Sequence, residues 1–143
     1  MLKLTLLKDP EYITAYIKRD HIYKQLLDVD NLSHFIPDFF RTAWIQLELG
    51  RVKIGVFVIQ ELNAHCIIFH GGVFKEYRHK ESDQYLKDCL SQLRKFFPKS
   101  SFITTVPETN IVAQKLVEKA GMIKKCNLPS ACKSGNLIIY SES

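Results

Sequence analysis

Residues 42–70 constrain the fold more than any other stretch, because three strand-length apolar segments follow one another with only short turns between them. Thr42 to Leu49 alternates and ends at Gly50-Arg51, a hairpin signal. Val52 to Leu62 is rich in Val, Ile and Phe, and Asn63-Ala64 then turns into Cys66-Ile67-Ile68-Phe69-His70. Connections this short join antiparallel neighbours, so the segment predicts a β-meander. Its apolar runs are continuous, which predicts strands covered on both faces. The rest of the chain must supply the covering layers.

The flanking segments have the patterns to do so. Leu2 to Leu7 reads as a strand. Asp9-Pro10 marks a helix start, since Asp caps and Pro suits the first helical position. Tyr12, Ile13, Tyr16 and Ile17, then Ile22, Tyr23, Leu26 and Leu27, recur near helical spacing and predict a helix to about Asp28, with a break near Asp20. Asp30-Asn31 ends that pattern, and Ser33 to Phe40 is a loop or turn containing Pro37. After the meander, Ser82 or Asp83 caps a helix whose stripe is Tyr85, Leu86, Cys89, Leu90, Leu93, Phe96 and Phe97, and Pro98 stops it. Phe102 to Val106 is a strand closed by Pro107. Thr109 or Asn110 caps a last helix with Ile111, Val112, Leu116 and Val117 facing inside, and Gly121 sits at its C-terminal cap. Met122 to Cys126 and Asn136 to Tyr140 read as final strands, the latter following a Lys133-Ser134-Gly135 turn. The predicted order is β-α-β-β-β-α-β-α-β-β, an α/β fold with helices flanking a mixed, mainly antiparallel sheet. Phe96, Phe97 and the lone Trp44 are read as core.

With 143 residues, 46% of them hydrophobic, and no repeat or linker, the chain is expected to form one domain over 1–143. Twenty Lys and Arg against 15 Asp and Glu give a net charge of +5, which favours encounter with anions. No basic run is interleaved with aromatics, so nucleic-acid binding is the weaker reading. Cys66, Cys89, Cys126 and Cys132 form no CxxC and share no zinc-ligand spacing with the five scattered histidines, so no metal site is expected. Reduced, mostly buried thiols and a cytoplasmic location are the natural expectation. No segment has the roughly 18 apolar residues of a membrane span, and the N-terminal Met1 to Lys8 is too short and interrupted for a signal peptide.

Three stretches carry a resemblance beyond topology. Gly71-Gly72-Val73-Phe74-Lys75-Glu76-Tyr77-Arg78 looks like a strand end running into a phosphate loop. Val106-Pro107-Glu108-Thr109-Asn110-Ile111-Val112-Ala113 with Glu118-Lys119-Ala120-Gly121-Met122 resembles an "N-x-x-A … E-K-x-G-F" helix, Met122 replacing Phe. Lys133-Ser134-Gly135-Asn136 forms the third, a hairpin. Together with the element order they resemble the GNAT N-acetyltransferase superfamily. Asp20-His21-Ile22-Tyr23 with Asp28-Val29-Asp30 resembles the GNAT-like proteins of tailed bacteriophages, which would make the location a host cytoplasm. The resemblance implies that the fourth and fifth strands splay, that acetyl-CoA inserts there, and that an amine on a small molecule or protein is the acceptor. It implies backbone contacts from Val73 to pantetheine, a cofactor contact from Phe74, cation contacts from Arg78, His79 and Lys80 to the cofactor phosphates, and a cofactor or helix-holding role for Asn110.

The chain departs from the superfamily at its chemistry. The usual loop, Q/R-x-x-G-x-G/A, reads Arg78-His79-Lys80-Glu81-Ser82-Asp83 here, with carboxylates where glycines let the backbone approach a phosphate. The expected carboxylate base falls near Ile67 and the expected tyrosine acid at Val117, and neither can transfer a proton. His70, late in the fourth strand, is the best substitute base, because an imidazole titrates near neutrality. Glu61 on the third strand is a second candidate and His65 a weaker one, while Tyr140, Tyr77 and Ser130 are weak candidates for the acid. His70 could equally be a structural histidine, and Asn110 a simple helix cap. Two functions follow: an acetyl-CoA-dependent N-acetyltransferase, or a catalytically silent protein of the same fold that binds a virion or host protein.

Overall fold

A computed structural model describes residues 2–19, 35–78 and 82–142. Its elements are β1 (Leu2–Leu7), α1 (Pro10–Arg19), β2 (Thr42–Leu49), β3 (Val52–Asn63), β4 (Cys66–Val73), a 3₁₀ turn (Lys75–Tyr77), α2 (Ser82–Phe96), β5 (Ser101–Pro107), α3 (Ile111–Lys119), β6 (Ile123–Cys132) and β7 (Gly135–Ser141). The strands form a seven-stranded sheet in the order β1-β2-β3-β4-β5-β7-β6. The β4–β5 pair is parallel, and the β1–β2, β2–β3, β5–β7 and β6–β7 pairs are antiparallel. The mixed α/β class and its element order are those the sequence predicts. The expected continuation of the first helix to Asp28, the 20–23 and 28–30 resemblance, and His79, Lys80 and Glu81 lie outside the described residues.

By contacts the chain divides into two compact units, Met1–Gln60 with His70–Arg78, and Glu61–Phe69 with His79–Ser143. In the first unit, Asp9 starts α1 as the sequence suggests: its Oδ1 accepts the Glu11 N–H at 3.0 Å, and Pro10 takes the first helical position. The apolar stripe of α1 then buries Ile13, Tyr16 and Ile17 with Leu7, Trp44, Val56 and Phe74. Around the tight turn at Gly50 (φ 65°), β2 and β3 pair in register until a β-bulge. Leu47 faces Gly55 and Glu48 faces Lys53, which leaves Ile54 as the extra residue. One added residue reverses which face the following side chains take. Lys53 therefore shares a face with Glu48 and Gln46. Where β4 leaves the bulge, the Phe74 N–H donates to the Ile54 carbonyl at 2.7 Å.

In the second unit, β4 and β5 pair over Cys66↔Ser101, Ile67↔Phe102 and Ile68↔Ile103, and the buried Thr104 hydroxyl donates to the Phe69 carbonyl at 2.7 Å. The α2 stripe buries Tyr85, Leu86, Cys89, Leu90 and Leu93. Helix α3 begins at Asn110, whose Oδ1 accepts the Ala113 N–H at 3.1 Å, and ends at Ala120, followed by Gly121 at φ 95°. Only glycine adopts that conformation without strain. Asn110→Ala is expected to cost about 1 kcal/mol, visible as a lower urea midpoint at unchanged slope.

Four readings need correction. Phe96 is 76% and Phe97 37% exposed, because both lie past Leu93, the last buried position of α2. Ile111 and Val112 (79% exposed) are exposed as well. The covered face of α3 runs from Ala113 and Gln114 to Val117, and the two residues fall off that stripe. The sixth strand runs to Cys132 and not to Cys126, with all but its last residue exposed. The strand contains Pro129, which it tolerates because β6 ends the sheet order and an edge strand accepts proline. Register shifts between Lys124 and Cys126 and between Leu128 and Cys132, with Ser130 at φ 53°, absorb the irregularity. Finally, all four thiols are free, but only Cys89 is buried, where desolvation pushes its thiol up to about 12; Cys126 is exposed.

Candidate functional site

The residues singled out on the fourth strand are placed by packing in the first unit. Successive strand residues face opposite ways, so His70 shares a face with Gly72, and Gly71 with Val73. The glycines are sites of close approach. A Cβ at Gly71 would lie 2.3 Å from the Phe57 ring, and one at Gly55 would lie 2.2 Å from the Gly72 carbonyl oxygen. His70 is partly buried, and desolvation lowers its pKa below the ordinary histidine value. Its imidazole is thus neutral at physiological pH, with one ring nitrogen able to accept a proton.

Val73 and Arg78, both expected at the cofactor, are brought together: Arg78 Nε donates to the Val73 carbonyl at 2.8 Å. A carbonyl has a second lone pair, so this bond orients Val73 without exhausting it. Phe74 is different. Its ring is 0% exposed, its N–H is bonded to Ile54, and its carbonyl accepts the Tyr77 N–H at 2.8 Å. Tyr16 stacks on the ring at 5.3 Å, and the Arg19 guanidinium lies 4.2 Å from the ring centroid. The Phe74 side chain is therefore part of the core of this unit. Glu76 on the 3₁₀ turn pairs with Arg19.

A polar network in the same unit escaped the sequence reading. Gln46, 3% exposed, accepts on Oε1 from the Tyr12 hydroxyl at 2.9 Å and the Tyr16 hydroxyl at 3.1 Å, while its amide nitrogen donates to Glu48. Lys53 Nζ donates to the Tyr12 hydroxyl at 2.5 Å. Burial, with the hydrogen bond to Tyr12 second, raises the Tyr16 pKa, so Tyr16 stays a neutral donor. A glutamine inside the apolar run Trp44-Ile45-Gln46-Leu47 was the available signal, since a buried amide needs partners.

In the second unit the other candidates are dispersed. Glu61 and His65 are exposed on β3 and its turn, where Asn63 Oδ1 accepts the His65 N–H at 2.8 Å. Tyr140 is fully buried, its hydroxyl donates to Glu118 at 2.9 Å, and burial first and that bond second push its pKa up to about 12. It ties β7 to α3. Ile67 and Val117 are buried. Asp83, in the first turn of α2, lies 3.9 Å from Lys87. Asn110 performs the cap described above. Among the described residues no three His, Cys, Asp or Glu side chains are grouped to hold a metal ion, and no helix is long and apolar enough to cross a membrane.

No model of a protein family matches the sequence, and no curated protein matches it. Solved structures do match. A spermidine N-acetyltransferase from Vibrio cholerae, in complex with CoA and spermine, superposes with a TM-score of 0.79 at 14% identity, covering 98% of this chain and 94% of its own. A probable acetyltransferase matches with a TM-score of 0.76 at 13% identity, over 98% of this chain and 91% of its own. A ribosomal-protein α-N-acetyltransferase in complex with coenzyme A reaches 0.62 at 7% identity over 71% of this chain and 61% of its own. At these identities the likeness is one of fold, and the chain has the fold of the GNAT acetyltransferases.

Proposed function

We propose that the protein transfers an acetyl group from acetyl-CoA to an amine. The observation that carries this reading is His70, a neutral, partly desolvated imidazole on β4 of a GNAT fold, two residues beyond the last β4–β5 pair at Ile68. Acetyl-CoA supplies the thioester, whose C–S bond breaks as the new C–N bond forms. An amine at neutral pH is mostly protonated and must lose a proton to attack. His70 takes that proton. The Val73 backbone, oriented by Arg78, offers strand-edge hydrogen bonds to the pantetheine arm, and Arg78, with His79 and Lys80, supplies positive charge to the diphosphate. Polyamines are the first acceptors to test, because the Vibrio cholerae neighbour was solved with spermine.

The test is twofold. Acetyl-CoA at a hundred times its dissociation constant is expected to stabilise the protein by about 2.7 kcal/mol, read as a raised melting temperature. A panel of polyamines and peptide N-termini should yield an acetylated product with release of free CoA. No thermal shift at millimolar acetyl-CoA overturns the proposal.

A second reading, a silent GNAT fold acting by binding a virion or host protein, is favoured by the buried Ile67 and Val117 at the usual base and acid positions. Stoichiometric capture of a partner without acetyl transfer would select it.

A further inference from the structure

We propose that the outer edge of β6 binds an extended, acidic segment of a partner protein, which joins the sheet as an added strand. The surface lies wholly within the second unit. β6 ends the sheet order, paired with β7 on one side and with no described strand on the other. A strand in that position turns alternate N–H and C=O groups outward with no ladder to receive them. Every residue from Ile123 to Ala131 is exposed, so no described residue covers that edge.

Pairing with β7 sorts the side chains of β6 onto two faces, because opposite residues of an antiparallel pair point the same way. Lys124 stands opposite Tyr140 and Asn127 opposite Ile138, the two buried residues of β7. Tyr140 is bonded to Glu118 of α3, so Lys124 and Asn127 lie on the α3 face. Ile123, Cys126 and Leu128 stand opposite Ser141, Ile139 and Leu137 on the other face, with Ile123 50% and Leu128 40% exposed. Lys125 is the extra residue of the bulge between Lys124 and Cys126. The second register shift and Pro129, which has no N–H to offer, limit the pairing stretch to Ile123–Leu128. A strand laid there meets one apolar face and one cationic face. The matching pattern is alternation, with apolar residues towards Ile123 and Leu128 and carboxylates towards Lys124.

Charge selects the occupant. From Ala120 to Ser141 the chain carries Lys124, Lys125 and Lys133 and no carboxylate. Lysines on an edge strand discourage pairing with an edge of like charge, and a second copy of this hairpin is such an edge. An acidic strand is attracted by the same lysines, while its backbone supplies the hydrogen bonds that the edge lacks.

Fluorescence anisotropy with three labelled eight-residue peptides tests this. One alternates Val and Glu, and one alternates Val and Lys. The third, Val-Glu-Pro-Glu-Glu-Pro-Val-Glu, keeps the four carboxylates but interrupts both edges of a strand. The Val-Glu peptide should bind roughly tenfold or more tightly than either of the others. Its binding should slow amide hydrogen exchange within residues 123–128. Lys124→Glu with Lys125→Glu should weaken the Val-Glu peptide roughly tenfold and strengthen the Val-Lys peptide, a gain that misfolding cannot produce. No binding of the Val-Glu peptide at millimolar concentration overturns the inference. Equal binding of the proline peptide also overturns it, since charge alone would then explain the attraction. Sedimentation that shows a dimer dissociated by the Val-Glu peptide would make a second copy the occupant, and overturns it as well.

Discussion

A Gly55→Ala protein should melt about 10 °C below wild type, a loss of about 3 kcal/mol. The added methyl would lie 2.2 Å from the Gly72 carbonyl oxygen, 3.0 Å from Val73 Cα and 3.1 Å from Gly72 C. All three are backbone atoms, so no rotamer change relieves the overlap, and β3 and β4 must separate. Separation strains the Phe74 N–H bond to Ile54, the residue that the bulge leaves without a partner on β2. Gly71→Ala meets the Phe57 ring instead, at 2.3 Å, and a side chain can yield part of that distance. It should therefore cost less. Gly50→Ala is a control, because nothing lies within 4 Å of its Cβ and only the positive φ is penalised. Thermal melts of the three proteins check the ranking. Equal melting temperatures for Gly55→Ala and Gly50→Ala would mean that β3 and β4 do not approach so closely.

The meander was legible because its turns and runs are local. Gly50, Asn63 and the Val and Ile segments state both strand length and connection, and the buried runs Trp44–Leu47 and Ile54–Phe57 follow from them. The caps at Asp9, Asn110 and Gly121 were legible for the same reason. The bulge at Ile54 was not, since a one-residue register shift leaves no mark on composition and emerges only when β2 and β3 are paired. The network of Tyr12, Tyr16, Gln46 and Lys53 was hidden with it, because without the bulge Lys53 would share the opposite face. The burial of the Phe74 ring was not legible either, because its stacking on Tyr16 forms only when α1 packs against it.

Replacing His70 with alanine should lower kcat by roughly 10² to 10⁴, the range a positioned general base contributes. The pH profile separates this from a structural loss. In wild type, kcat/KM should rise with pH through a pKa below the ordinary histidine value and be flat by neutrality, because burial disfavours the imidazolium. His70→Gln should keep a folded, CoA-binding protein and lose that inflection. Stability gives an independent reading of the same group. The unfolded chain takes up a proton on His70 near its ordinary pKa of about 6.5, while the folded chain resists protonation. As pH falls below that value, the unfolded state binds more protons and stability drops; above it, His70 adds no pH dependence. Urea midpoints should therefore fall more steeply for wild type than for His70→Gln as pH is lowered from 7 towards 5. Parallel midpoints would place His70 in a solvated setting, and its role as a base would lose the desolvation that keeps it neutral.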